Sequence, residues 1–156
     1  MRAKPVSIKL TDPGRKAAMA VFARASSAEL SALCEGAGLA MDVEILRGPE
    51  TGLVTVRGRI GGGGSVFNTG EATITRATVR LPSGQVGHSY ALGRDKEKAR
   101  LAAILDANWC TQDTRAVVEA KIVAPLLATL AAADAKRRAE TAATKVDFFT
   151  MVRGED

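Results

Sequence analysis

The hydrophobic positions follow a helical period at both ends of the chain and a strand period in the middle. Near the N-terminus, Met19 and Phe22 recur at helical spacing, which predicts a helix over Arg15–Arg24. Ser26 and Glu29 then have the spacing of a capping box, in which each residue bonds a free amide at the other. A second helix is therefore expected to start there.

The middle of the chain alternates apolar and polar residues, as half-buried strands do. Four strands are predicted, covering residues 41–46, 53–60, 70–81 and 85–92. The Gly-Pro-Glu-Thr-Gly segment at 48–52 has turn composition, so the first two strands are expected to form a hairpin with Val54 and Val56 on its buried face. In the last strand, His88, Tyr90 and Leu92 share a face, and His88 is expected at the edge of the core.

The last third of the chain is predicted to be helical. Asp95 is a good N-cap for a helix whose apolar stripe includes Leu101 and Trp109. A further helix starts near Thr111, and Pro125 should kink it or mark a new start. The fold class is thus α+β: a four-stranded antiparallel sheet flanked by N-terminal and C-terminal helix pairs, in the order α-α-β-β-β-β-α-α. We divide the chain into a flexible basic arm (1–14), one domain (15–140) and a C-terminal tail (141–156).

Composition narrows the function classes. The 156 residues are 46% hydrophobic and 25% charged, which is typical of one globular domain. The net charge of +5 comes mostly from residues 1–16, so DNA binding through this arm and the first two helices is an alternative with modest support. Two distant cysteines and one histidine do not make a zinc site. We expect no metal and a cytoplasmic protein with reduced thiols, since no signal sequence or uninterrupted membrane-length segment is evident.

Two groups of residues are candidates for anion binding. Gly61, Gly62, Gly63 and Gly64 lack the lysine of a phosphate-binding loop, so we expect a loop that a partner or ligand orders. Arginines in or beside the sheet could clamp phosphate oxygens or could be solvated; they are Arg57, Arg59, Arg76, Arg80 and Arg94. A small anion- or nucleotide-handling enzyme that uses Arg59, Arg76, His88 and the glycine loop is therefore one hypothesis.

The C-terminus is unusually apolar for a chain end. Phe148 and Phe149 lie within the last nine residues, and burying each is worth roughly 1.5–3 kcal/mol. The tail must therefore pack on its own domain or insert into another subunit, and composition does not decide between the two. An isolated chain could form a homodimer by exchanging tails.

Three stretches make the sequence resemble a known family. They are Glu-Thr-Gly-Leu-Val at 50–54 with the glycines at 61–64, the segment 70–81, and Val-Asp-Phe-Phe-Thr-Met-Val-Arg-Gly at 146–154. The chain is similar to PhnG, the small subunit of the bacterial carbon–phosphorus lyase complex. It departs from the family pattern after Arg15, where Lys-Ala-Ala stands in place of an expected tryptophan.

The resemblance implies a role in phosphonate breakdown. PhnG-like subunits assemble with the H, I, J and K subunits. With H, I and L they support transfer of a phosphonate to ribose C1 of ATP, with release of adenine. The family places the nucleosidase chemistry in I and the carbon–phosphorus cleavage in J, so this chain is expected to be architectural, with no catalytic residue and no cofactor. The I subunit is then the expected partner of the tail residues Val146, Asp147, Phe148, Phe149, Thr150, Met151, Val152 and Arg153. The candidate anion or partner loop comprises Arg59, Gly61, Gly62, Gly63, Gly64, Arg76 and Arg94.

Overall fold

A central helix lies between a three-stranded sheet and a layer of further helices. The computed structural model describes residues 14–60 and 63–146. The helices are α1 (Arg15–Arg24), α2 (Ser27–Ala37), α3 (Lys96–Cys110), α4 (Gln112–Val118) and α5 (Ala124–Ala143). The strands are β1 (Glu44–Gly58), β2 (Phe67–Arg80) and β3 (Val86–Leu92). The α+β class with an antiparallel sheet is as predicted.

Within residues 14–60 and 63–146 the sheet has three strands in the order β1-β2-β3, so the prediction of four strands was wrong. The predicted C-terminal helix pair is wrong as well, because α3, α4 and α5 follow the sheet. The segment 48–52 does not turn the chain. It continues β1, whose pairing with β2 shifts register between Ile45 and Arg47 and again between Arg47 and Glu50. Such bulges absorb extra residues without ending a strand. Pro49 is tolerated because β1 is an edge strand, where a missing N–H need not face a neighbour.

The predicted caps are confirmed at the helix starts. Ser26 Oγ accepts a hydrogen bond from the Glu29 amide at 3.2 Å, and the Ser26 amide donates to Glu29 Oε2 at 2.8 Å. Asp95 Oδ1 accepts from the Lys98 amide at 2.8 Å and caps α3. Gly38, at φ +69°, follows the last turn of α2 in the left-handed conformation that glycine adopts most easily.

The helix from Gln112 to Ala143 runs for 32 residues without a break. Pro125 lies in the first turn of α5, where the helical backbone is continuous. The π-helical turn Glu119–Val123 joins α4 to α5 without a break in the helical backbone. This helix is long and apolar enough to cross a membrane by length and composition alone, so the expected interruption was wrong. Its apolar positions Val118, Ile122 and Leu126 are buried in the core.

The core has two parts that share α3. One side of α3 packs against the other helices, through residues that include Leu105 and Trp109. The other side packs against Ala77 and Val79 of β2 through Ile104 and a row of alanines. Ten of the 15 residues of α3 are buried, which identifies it as the central element of the fold.

The two faces of β3 are the reverse of what the sequence predicts. Gly87, Ser89 and Ala91 face the core, while His88, Tyr90 and Leu92 share the outer face and are exposed. The reason is close packing: a Cβ at Gly87 would lie 2.8 Å from Ala107 Cβ and would also overlap the α3 backbone. Small residues are thus required under α3, and the larger side chains lie on the open side of the sheet.

Candidate functional site

The residues proposed to bind an anion do not come together. Arg59 follows the end of β1, where Gly58 pairs with Phe67, whereas Arg76 lies nine residues further along β2. At about 3.3 Å per residue, roughly 30 Å separates the two ends of this stretch. His88 is further still, since it pairs with Thr78. These groups therefore cannot contact one small anion, and the hypothesis of an independent enzyme built on them is not supported.

Two of the arginines are committed to cross-strand ion pairs. Arg76 Nε lies 2.6 Å from Glu50 Oε1, and Arg80 Nη1 lies 3.0 Å from Glu44 Oε2. Hydrogen bonds with Tyr90 and with Glu50 raise the pKa of Arg76. These pairs lie on the outer face of the sheet. Arg76 and Arg80 therefore pair with glutamates of the same sheet and are not arranged to clamp a phosphate.

The remaining members of the candidate loop are exposed. Arg59 and Arg94 are exposed, Arg59 just after the end of β1 and Arg94 just after the end of β3. Gly64 adopts φ +83°, a left-handed conformation that favours glycine. Gly61 and Gly62 lie outside the described residues, so the role of the loop stays a prediction.

His88 contributes to the structure mainly through its backbone. Its Nδ1 lies 3.2 Å from Thr78 Oγ1 on the exposed face, and its amide donates to Asp106 Oδ2 at 2.8 Å. The expected position at the core edge is therefore wrong for the ring. Within the described part of the chain, no group of three potential metal ligands occurs.

Sequence reasoning missed Asp106, a fully buried carboxylate in α3. It accepts two hydrogen bonds from Arg15, from Nε at 2.8 Å and from Nη2 at 2.7 Å, in addition to the His88 amide. Donation of these hydrogen bonds to Asp106 raises the pKa of Arg15. Asp106 thus joins α1, α3 and β3. The available signal was a lone acid inside the apolar run 101–109, because a buried carboxylate must be paired.

A groove of about 600 Å³ lies between α1 and β3. Arg15, Lys16 and His88 contribute its basic groups, and Met19 and Phe22 contribute apolar surface. The Ser89 hydroxyl, which also lines it, is held by the Ala99 carbonyl oxygen at 2.6 Å. The groove therefore has the character of a binding surface, with no activated nucleophile among its described lining residues.

Large apolar side chains are exposed along the sheet and at the end of the chain. The most exposed are Leu53, Ile60, Leu92 and Val146, each more than 60% accessible. The predicted buried face of the first hairpin is wrong, because Val54 and Val56 are exposed as well. Of the eight tail residues expected to contact a partner, Val146 alone is described, and residues 147–153 lie outside the described part. Contiguous exposed apolar surface is typical of protein–protein contacts.

The fold and these surfaces define the chain as an α+β protein whose prominent exposed features are apolar side chains and a groove between α1 and β3. The family model described as phosphonate metabolism protein PhnG matches residues 13–154. A protein of Rhizobium meliloti (strain 1021), named alpha-D-ribose 1-methylphosphonate 5-triphosphate synthase subunit PhnG, is 55% identical over 142 residues. That alignment covers 91% of this chain and 90% of the relative. The chain belongs to the PhnG family of phosphonate metabolism proteins.

Proposed function

We propose that the chain is an architectural subunit of a ribose 1-methylphosphonate 5-triphosphate synthase. In this role it supports transfer of a phosphonate to ribose C1 of ATP, with adenine as the leaving group, while other subunits supply the chemistry. Family membership and the 55% identical relative, itself named as a subunit of that synthase, support the proposal. The distance of Arg59 from Arg76 and His88 favours a supporting role over an independent catalytic one built on all three.

The single observation that carries the architectural role is that the C-terminal half of α5 does not pack on the core. Leu127 and Leu130 are its last core-packed residues. From residue 131 to 146, every residue except the half-buried Asp134 is exposed. At about 1.5 Å per residue, α5 extends roughly 20 Å past its last packed turn. The exposed end of α5 supports the proposal that the apolar residues after it meet a partner rather than the core of this domain.

The tail is therefore proposed to insert into a partner. We assign this partner as the I subunit of the carbon–phosphorus lyase assembly, with the H, J, K and L subunits as further members of the cytoplasmic complex. Val146, Phe148, Phe149, Met151 and Val152 would supply the buried surface. Asp147, Thr150 and Arg153 would supply the polar contacts at its rim.

Co-purification of the chain with the I subunit tests this proposal. Deletion of residues 146–156 should abolish co-purification, while circular dichroism and the unfolding midpoint of the isolated chain stay close to those of the full chain. Deletion of residues 1–12 is the matched control and should leave binding unchanged. Binding of the tail-deleted chain with full affinity would exclude the tail as the contact.

A further inference from the structure

The paired ends of β1 and β2 form a two-stranded ribbon that extends past the helices. We call residues 51–58 and 67–73 the ribbon arm. Residues 51–57 of one strand and 67–71 of the other are all exposed, whereas Ile74, Thr75, Ala77 and Val79 further along β2 are buried. A two-stranded ribbon without a packing partner is marginal in water. The ribbon arm therefore lacks the covering layer that α3 provides for the rest of the sheet.

The ribbon arm exposes large apolar side chains on both of its faces. Directly paired residues share a face, so Val54 lies beside Ala72 on the outer face, in line with Ile74 and Leu92. Leu53, 63% exposed, points to the opposite face. A flat partner surface bound to one face of the ribbon arm would leave the apolar side chains of the other face in water. The occupant must therefore be a cleft that receives the ribbon arm from two sides.

The charges at the tip indicate the chemistry of that cleft. Arg57 and Arg59 form no ion pair with a described residue, in contrast to Arg76 and Arg80 on the same sheet. Between residues 51 and 73 the only acid is Glu71. Basic side chains at the tip of an apolar element fit acids at the rim of the receiving cleft.

The same charges argue against a second copy of this chain as the occupant. In a two-fold interface the same patch meets itself, so the contact would hold four arginines, Arg57 and Arg59 of each copy, against two copies of Glu71. Like charges placed close together across an interface are unfavourable. A different protein with acidic groups around an apolar cleft avoids this repulsion.

We propose that the ribbon arm inserts into an acid-rimmed apolar cleft on a companion subunit of the synthase, as a contact separate from the C-terminal tail. This inference rests on the proposed function, because it takes the companion subunits as the source of the partner. Val54, Val56 and Leu53 fill the cleft, and Arg57 and Arg59 pair with acids at its rim.

A competition experiment in the assembled complex tests the proposal. Wild-type and variant chains carrying different tags are co-expressed with the companion subunits, and the ratio incorporated is measured by mass spectrometry. Arg57→Glu with Arg59→Glu should lower incorporation about tenfold or more, since two rim contacts are reversed in sign. Val54→Thr with Val56→Thr, which keeps side-chain shape and strand propensity, should lower it several-fold. Lys96→Glu with Lys121→Glu, an equal charge change at exposed sites on helices, should change it less than twofold.

The outcomes separate this inference from the proposed function. If the wild-type chain is not incorporated at all, the proposed function fails. If it is incorporated and both arm variants compete as well as the control, the arm contact is overturned while the proposed function stands. Loss with the valine pair alone overturns the acidic rim. Conversion of a dimer of the isolated chain to monomer by the arm variants, with incorporation unchanged, would identify a second copy as the occupant and also overturn the proposal.

Discussion

Arg15 and Asp106 join the first and third helices through two parallel hydrogen bonds, of 2.8 Å and 2.7 Å. The same carboxylate accepts the amide of His88, so one buried side chain fixes a helix, the central helix and an edge strand. Asp106 is fully buried, whereas the Arg15 side chain is 44% exposed. Water can therefore solvate the Arg15 guanidinium if its partner is lost, but it cannot reach the Asp106 carboxylate in the same way.

Replacement of Asp106 by alanine should destabilise the fold more than the loss of an exposed ion pair does. Asp106→Ala leaves the His88 amide without an acceptor, but water partly resolvates Arg15, so we expect a loss of about 2–3 kcal/mol in the free energy of unfolding. Asp106→Asn keeps one acceptor and should lose less. Urea denaturation measures both. Glu97→Ala, which breaks an exposed pair with Arg100, is the control and should cost under about 1 kcal/mol. Equal losses for Asp106→Ala and Glu97→Ala would contradict the proposed role of Asp106.

Gly87 should tolerate no side chain. Its Cβ position is occupied by the backbone and the methyl group of α3, so Gly87→Ala must push the helix off the sheet. Overpacking of this kind costs about 1–3 kcal/mol, measured as a fall in the unfolding midpoint in denaturant. Gly36→Ala is the matched control, because Gly36 lies within α2 with no atom within 4 Å of its Cβ position. It should leave stability unchanged or raise it by up to about 1 kcal/mol.

The capping box of α2 should contribute a pH-dependent part of the stability. Hydrogen bonds from the Ser26 hydroxyl and amide lower the pKa of Glu29 below its usual value. A lowered folded-state pKa means that this stabilisation is present above the ordinary glutamate pKa and is lost as the pH falls through the folded value. Glu29→Gln should therefore be less stable than wild type at pH 7, and the difference should vanish in strong acid. A constant difference from pH 7 to pH 2 would contradict this assignment.

Ser26→Ala removes the other half of the box. Loss of an N-cap side chain typically costs about 1 kcal/mol, and thermal unfolding at pH 7 measures it. Thr111→Ala is a useful control at another helix start, because Thr111 precedes α4 without a capping hydrogen bond from its side chain. Thr111→Ala should lower the unfolding temperature less than Ser26→Ala does. Its remaining effect would come from the hydrogen bond that the Thr111 hydroxyl donates to the Ala107 carbonyl oxygen.

Local patterns predicted the helices better than the sheet. The spacing of Ser26 and Glu29 and the position of Asp95 depend on neighbours three residues away, so the sequence alone contains the relevant geometry. Which face of β3 is buried depends instead on how closely α3 approaches the strand. This approach is close at Gly87, against Ala103 and Ala107. Alternation alone cannot tell which of two faces a distant helix will cover.

The candidate site shows the same limit. The sequence shows that the tail and residues 53–56 are apolar. The alternation of apolar and polar residues, however, predicts that Val54 and Val56 are buried within the domain. That β1 continues through Pro49 and extends past the helices follows only from its full pairing with β2. Asp106 was readable as an anomaly, yet its partner Arg15 lies 91 positions away, and no local rule connects the two.

The two cysteines should differ in reactivity. Burial raises the pKa of the Cys34 thiol to about 11, so at pH 8 only about one molecule in a thousand carries the thiolate. Cys34 is also enclosed in the helical core, whereas Cys110 is only partly buried. Iodoacetamide at pH 8 should therefore label Cys110 in the native chain and label Cys34 only on unfolding, as peptide mapping by mass spectrometry would measure. Cys34→Ala provides the control, since its native labelling rate should equal that of wild type. Labelling of Cys34 as fast as Cys110 in the native chain would show that α2 opens far more often than its buried contacts allow.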